Sequence, residues 1–311
     1  MKKKIALVLL LLLTLCGCTK RFTVEGKDGD KKSSKTYVSN IICKPEEEDN
    51  INIYTEHKDD LLVDYDKLPA CKDLKITSGG YEGLWTSFFV KPLAWIIVKL
   101  GVLVKSYGLS IMIIGVVIRA LMMPITKKSN NMNNSMQKAQ KELNALEKKY
   151  AGRNNDRDAM MAKSQEMLMI YKKYGINPMS SCLFAFIQLP IFFALLEAIY
   201  RVPVFFEKKF LVYNLGMTPA EGLLAHNYWY IILVVLIIAT TYFSFKNMNT
   251  NTVDEMQAKQ MKMMSTFMVV FISIISFSLP TSNALYWIVS NAFTIVQNMI
   301  LKKGKYYYGK I

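Results

Sequence analysis

Five apolar segments constrain this chain more than any other feature: Tyr107–Thr126, Met179–Tyr200, Tyr228–Phe245, Met263–Leu279 and Ala284–Leu301. Each is about long enough to cross a bilayer, where backbone polar groups must be bonded within the segment, so each should be a helix. The expected class is an all-α polytopic membrane protein with five transmembrane helices. A sixth apolar stretch, Leu84–Val104, contains Lys91, Pro92 and Lys99. At 100° per residue Ser87, Lys91, Lys99 and Lys105 fall within an arc of about 120°, one polar stripe on an apolar helix. That pattern suits an amphipathic helix lying in the interface, over residues 83–105, rather than a span.

The N-terminus sets the orientation. Lys2-Lys3-Lys4 precedes an apolar run from Ile5 to Leu15, a basic region and short hydrophobic region of the secretory type. Eleven apolar residues are too few for an uncleaved span, which needs about 17–25. Leu15-Cys16-Gly17-Cys18 resembles a bacterial lipobox, with Cys16 where Ala or Ser is usual. The resemblance implies a signal peptide over residues 1–18 and lipid modification (palmitate) of Cys18 as the mature N-terminus outside the membrane. Residues 19–82 carry 11 Lys/Arg against 14 Asp/Glu with no strong apolar period, which reads as an exported, loosely structured stalk or small segment, or a very small domain. Cys43 and Cys71 are on this oxidising side; they could pair, and two free thiols are an equal alternative. Cys182 lies within an apolar segment and reads as a small buried hydrophobe.

With residue 18 outside, one crossing at 107–126 leaves residues 127–177 in the cytoplasm. That block holds 11 Lys/Arg and five acidic residues, and Lys302, Lys303, Lys305 and Lys310 follow the last segment. The exported loop 202–225 has only two Lys and two Glu. The asymmetry obeys the positive-inside rule and puts the C-terminus in the cytoplasm. Within the block, Gln137–Tyr150 and Asp158–Tyr174 are helical stretches around a turn-forming Ala151–Asn155, an antiparallel hairpin. Met263–Leu279 and Ala284–Leu301 cover about 26–27 Å each, short of a hydrocarbon core of about 30 Å, so the bilayer should thin beside them. Glu197 and Arg201, four apart near the outer boundary, are spaced to pair.

Arg119 is the single charge inside the first segment. It lies about 12 Å before Lys127 along a helix, beyond easy snorkelling reach. A charge at that depth lines a wet, protein-walled cavity or marks function.

Three motifs carry a resemblance: VIRALMMPIT (117–126), KYGINPMSSCLFAFIQLPIFFALLEAIY (173–200) and LPTSNALYWIVSNAFTIVQNMIL (279–301). In this order they resemble the YidC family of membrane protein insertases, relatives of mitochondrial Oxa and chloroplast Alb proteins, over roughly residues 83–303. The lipoprotein-type signal is similar to that of the Gram-positive members. The resemblance implies five helices around a hydrophilic groove, an insertase core over residues 106–303 and a basic cytoplasmic tail at 304–311. It implies that Arg119, Gln188, Tyr286 and Trp287 line the path of the substrate, with Asn291 beside them. Asn291 and Gln297 are equally well read as hydrogen-bonded glue between helices. Partners would be nascent membrane proteins, the lipid bilayer, the ribosome through the basic tail and hairpin, and the Sec translocon, with the chain working as a monomer. Met160, Met161, Met167 and Met169 on the hairpin suit promiscuous apolar contacts, or else its core.

Catalysis has little footing. The phosphate-binding loop, the zinc-protease helix and the hydrolase elbow are all missing, and only His57 and His226 are present, so neither enzyme chemistry, a metal nor a cofactor is expected. The rival is a solute or ion transporter using Arg119 as an anion site, which predicts inverted repeats that are not evident.

Overall fold

The computed structural model describes residues 19–28, 31–153, 156–176, 179–248 and 255–308. The chain forms two compact units. One comprises Met1–Val116, Leu189–Ile237 and Ile275–Ser290, and the other Val117–Gln188, Ile238–Ile274 and Asn291–Ile311.

The first unit opens with a folded domain. Strands β1 (Arg21–Asp28) and β2 (Lys31–Val38) pair antiparallel, from Arg21 opposite Val38 to Asp28 opposite Lys31. Burial alternates along the start of β1, so Phe22 and Val24 turn inward, as the two-residue period of a strand requires. Helix α1 (Glu48–Glu56) supplies Tyr54, which packs with Val38, Ile41, Tyr65 and Leu68 under a partial cover of Phe22, Tyr37 and Tyr200. The Tyr54 and Phe22 rings meet edge to face at 5.8 Å.

Cys43 and Cys71 are joined in a disulfide across 28 residues, a closure that stabilises by about 3.5 kcal/mol on chain-entropy grounds. Of the two readings of residues 19–82, the core and the disulfide fit the very small domain. A few aromatics from separate short elements, stapled by one disulfide, suffice for a small core. The all-α expectation is corrected on the same point, since β1–β2 and a second short hairpin, β3 (Lys209–Phe210) with β4 (Tyr213–Asn214), are sheet.

Helix α2 (Gly83–Leu103) opens with an α-helical turn and passes into a π-helical turn over Thr86–Val90 just before Pro92, where the backbone absorbs a residue lacking an N–H. Helix α3 (Tyr107–Leu121) is followed by α4 (Met123–Lys149). Met122 between them is helical, and Pro124 stands in the first turn of α4. In the second unit α4 and α5 (Arg157–Lys173) pack antiparallel. Ala139, Leu143 and Ile176 form one core cluster, and Leu146, Tyr150 and Ala159 another.

The pair is closed by two matching clamps. Lys149 Nζ and Tyr150 Oη both donate to Glu166, at 2.6 and 2.9 Å, while Lys173 Nζ and Tyr174 Oη both donate to Glu142. Each helix thus ends in Lys-Lys-Tyr and grips a glutamate of the other. The Lys173 ammonium with the Tyr174 hydroxyl holds Glu142 below the usual carboxylate range, and Lys149 with Tyr150 does the same for Glu166. Helix α6 (Met179–Arg201) carries Pro190 in its interior.

Past the β3–β4 hairpin come α7 (Pro219–Leu224), with a Thr218–Glu221 capping box, and α8 (Trp229–Met248). Helices α9 (Glu255–Ser276) and α10 (Thr281–Tyr308) follow. The α10 backbone runs on through Lys302, Lys303 and Lys305, so most of the basic tail extends the last helix. Among the described residues, Gly83–Leu103 and Trp229–Lys246 are long and apolar enough to cross a membrane, and Tyr107–Leu121 and Ser265–Ser276 are shorter apolar helices.

Candidate functional site

The polar stripe on α2 does not face open water. Lys91, only 3% exposed, ion-pairs with Glu82 at 2.7 Å and donates to the Gly80 carbonyl at 2.7 Å. Lys99 Nζ donates to the Lys72 carbonyl at 2.7 Å, and Ser87 Oγ accepts the Glu82 N–H. Ser87, Lys91 and Lys99 of the stripe are taken up by the small domain, while Lys105 is exposed, and Leu84, Phe88, Phe89 and Leu103 are exposed elsewhere on the helix.

Glu82 also reaches Arg201, which is fully buried. Arg201 pairs with Glu197 at 3.4 Å, as its i,i+4 spacing predicts, and its Nε donates to the Asn40 carbonyl at 2.6 Å. Glu197 in turn accepts from the Trp85 indole N–H at 2.8 Å. Burial pushes the Glu82 carboxyl up, but the Arg201 guanidinium and the Lys91 ammonium outweigh it and hold the group below its ordinary range. Two acids and two bases thus form one neutral, buried cluster that ties the small domain to α2 and α6. A second tie runs through Glu207, whose carboxylate accepts from the Glu46 N–H at 2.9 Å and Asn50 Nδ2 at 3.0 Å.

Of the residues expected to line a path, Tyr286 and Trp287 belong to the first unit. Tyr286 is buried on α10 against α3, and a Cβ added at Gly115 would stand 3.2 Å from its ring, so the missing side chain is what admits the tyrosine. Trp287 is half-buried and meets the Phe192 ring at 5.4 Å.

Arg119, Gln188 and Asn291 belong to the second unit. Arg119 and Gln188 are both half-buried and both engaged within the fold, so Arg119 is not the unpartnered charge that its sequence neighbours suggest. Asn291 donates to Thr241 Oγ1 at 2.9 Å in a buried contact between α10 and α8. Cys18 lies outside the described residues.

The second unit also holds a polar seam that no short motif announces. Asn291, Thr294, Gln297 and Asn298 are all buried on α10, and Thr241 and Ser244 are buried on α8. At 100° per residue the four α10 residues share an arc of about 120°, so one face of an apolar helix is polar along two turns. Gln297 Nε2 is buried without a hydrogen-bond partner among the described residues. An unmet amide donor costs about 1–3 kcal/mol, a cost that water or a passing polar group removes. The spacing of Asn291, Thr294 and Asn298 was visible in the sequence, but only burial distinguishes such a seam from a solvated face.

Among the described residues there is no group of three or more His, Cys, Asp or Glu able to hold a metal. The hairpin methionines divide. Met167 packs into both core clusters of α4–α5, whereas Met160, Met161 and Met169 are exposed together with Leu168. Among Met256, Met261, Met263 and Met264 of α9, only the side chain of Met263 is described, and it is exposed.

Comparison with known proteins is consistent across sequence and structure. Residues 99–308 match the family described as 60Kd inner membrane protein. A membrane protein insertase YidC of Oceanobacillus iheyensis is 32% identical over 230 residues, covering 71% of this chain and 85% of that protein. One from Alkalihalophilus pseudofirmus is 35% identical over 218 residues, covering 70% and 81%. A crystal structure of an active YidC insertase with its first transmembrane domain resolved superposes with a TM-score of 0.51 at 25% identity, covering 73% of this chain. The chain spans about half the length of that solved protein, 48%.

Proposed function

The chain belongs to the 60Kd inner membrane protein family and is a membrane protein insertase of a bacterial membrane, and from that premise we propose how its parts divide the work. The rival reading of Arg119 as the anion site of a solute carrier falls away with this membership. Helices α3, α6, α8, α9 and α10 are the five spans. The small domain and α2 lie on the outer side, α2 in the headgroup layer with Phe88 and Phe89 toward hydrocarbon, and the α4–α5 hairpin lies in the cytoplasm.

The exported tail of a nascent membrane protein enters a hydrophilic groove and meets Arg119. It moves past Gln188, Tyr286, Trp287 and Asn291, and its apolar helix then partitions into lipid. The observation that carries this reading is a half-buried arginine in an apolar helix, in a unit whose α10 buries a seam of polar side chains. Polar groups at membrane depth are costly unless they serve a polar visitor or water. The free energy comes from burying the substrate helix in lipid, about 25 cal/mol per Å² of apolar surface, with translation delivering the chain. The chain works as a monomer, beside the ribosome at its basic end and the Sec translocon.

The exposed Met160, Met161, Leu168 and Met169 form the recruiting face of the hairpin, flexible enough to accept varied apolar helices. Changing these four to glutamine leaves both core clusters of α4–α5 intact. It should lower insertion of a single-span substrate into proteoliposomes severalfold, and deletion of residues 130–172 should abolish insertion. Normal insertion by the four-residue variant would remove the recruiting role.

The lipid anchor is on Cys18. Mass spectrometry of the mature N-terminus should find an acylated cysteine there, and an intact Met1 or a bare Cys18 would refute the anchor.

A further inference from the structure

The connection between α6 and α8 carries an apolar surface that a loop immersed in water would not need. At the tip of the β3–β4 hairpin Leu211 is 79% exposed, with Val212 exposed beside it. Leu211 has φ 55°, a left-handed conformation in which leucine is strained and glycine or asparagine is not. A second turn packs against this tip. Asn227 Nδ2 donates to the Val212 carbonyl at 3.4 Å, and the Tyr213 hydroxyl donates to the Trp229 carbonyl at 3.1 Å.

That turn contributes Leu224, 82% exposed, and the exposed rings of Tyr228 and Trp229. An open depression of about 350 Å³, lined by His226, Asn227, Tyr228, Trp229 and Ile232, lies beside them.

Two features identify what covers this surface. It runs without a break onto α8, a helix of spanning length whose Val235 is exposed, so it continues a face that lies against hydrocarbon. It also combines tyrosine and tryptophan at the end of that helix with an exposed Lys209 at the base of the hairpin. Amphipathic rings and an ammonium suit the depth where anionic headgroups meet acyl chains. We propose that the Leu211 tip and the Leu224–Trp229 turn form a wedge inserted into the outer leaflet, at the boundary between headgroups and acyl chains. The exported loop 202–225 and the turn that follows it then form a membrane-penetrating element beside the outer ends of the spans. The inference rests on the membrane orientation proposed above.

The test uses the full-length protein in phosphatidylglycerol-containing proteoliposomes, with a photoreactive benzoylphenylalanine replacing Leu211, Leu224, Val235 or Leu62 one at a time. All four side chains are on the surface or at its edge, so the fold should tolerate the change. Phospholipid adducts are expected at Leu211 and Leu224 at yields like that of Val235 and severalfold above that of Leu62 on the small domain. Adducts at Val235 alone would overturn the wedge and leave the spanning reading of α8 standing. Loss of lipid adducts at all three positions would overturn both. A cross-link from Leu211 to a second copy of the chain, in place of lipid, would show that protein covers the surface and would also overturn the wedge.

Discussion

Replacing Arg201 with methionine should cost about 3–5 kcal/mol and loosen the small domain from α2 and α6, because it strands charge in a buried site. Arg201 is fully buried and serves three acceptors at once, the carboxylates of Glu82 and Glu197 and the carbonyl of Asn40. Without it, Lys91 alone faces two carboxylates. Arg201→Lys should recover only part of the loss, since one ammonium cannot reproduce three guanidinium contacts in fixed directions. Combining Arg201→Met with Glu82→Gln restores neutrality, and the double variant should be more stable than Arg201→Met alone. Proteinase K cleavage within residues 19–82 in proteoliposomes, read alongside thermal unfolding, follows both detachment and stability. A double variant less stable than the single, by the sum of two independent losses, would show that the cluster does not act as a coupled unit.

This cluster also shows where the sequence stops being informative. Glu197 and Arg201 are legible as an i,i+4 pair, because a helix brings such residues together whatever surrounds it. Glu82 and Lys91 join them from more than a hundred residues away, a juxtaposition that periodicity does not encode. The bonding partners of the α2 stripe were not legible for the same reason. A helical wheel finds one polar face but cannot tell headgroups from the carbonyls of a packed domain, and Lys72 and Gly80 supply those carbonyls. In residues 19–82 the core residues Phe22, Tyr37, Tyr54 and Tyr65 come from a hairpin, a helix and a 3₁₀ turn, so no single period runs through them. The helices α8 and α10, by contrast, begin within three residues of the apolar segments Tyr228–Phe245 and Ala284–Leu301, because length and hydrophobicity alone define them. At the candidate site the residue types were legible, but the engagement of Arg119 within the fold was not.

Arg119→Ala should reduce insertion of a substrate with an acidic exported tail about tenfold or more, and affect an otherwise identical substrate with a neutral tail far less. A hydrogen bond to a charged group contributes about 1.5–3 kcal/mol, and each 1.4 kcal/mol is a factor of ten. Arg119 sits in the last turn of α3, three residues before the Met122 junction and five before Pro124. Its backbone position thus lies just before a proline-marked junction between two helices. It is already engaged within the fold, so an entering acidic side chain must compete with whatever holds it at rest. That competition makes the effect depend on tail charge. A purely structural arginine would, on removal, impair every substrate alike through misfolding. Arg119→Lys preserves the point charge and loses the planar fork, so it should retain much of the activity on the acidic tail. Raising salt should narrow the gap between the two substrates in the wild-type protein, because a groove open to water is screened. In-vitro insertion of the two tails into vesicles, at two ionic strengths, is the deciding measurement. Equal losses for both tails in Arg119→Ala would assign the residue to the scaffold and remove the electrostatic step.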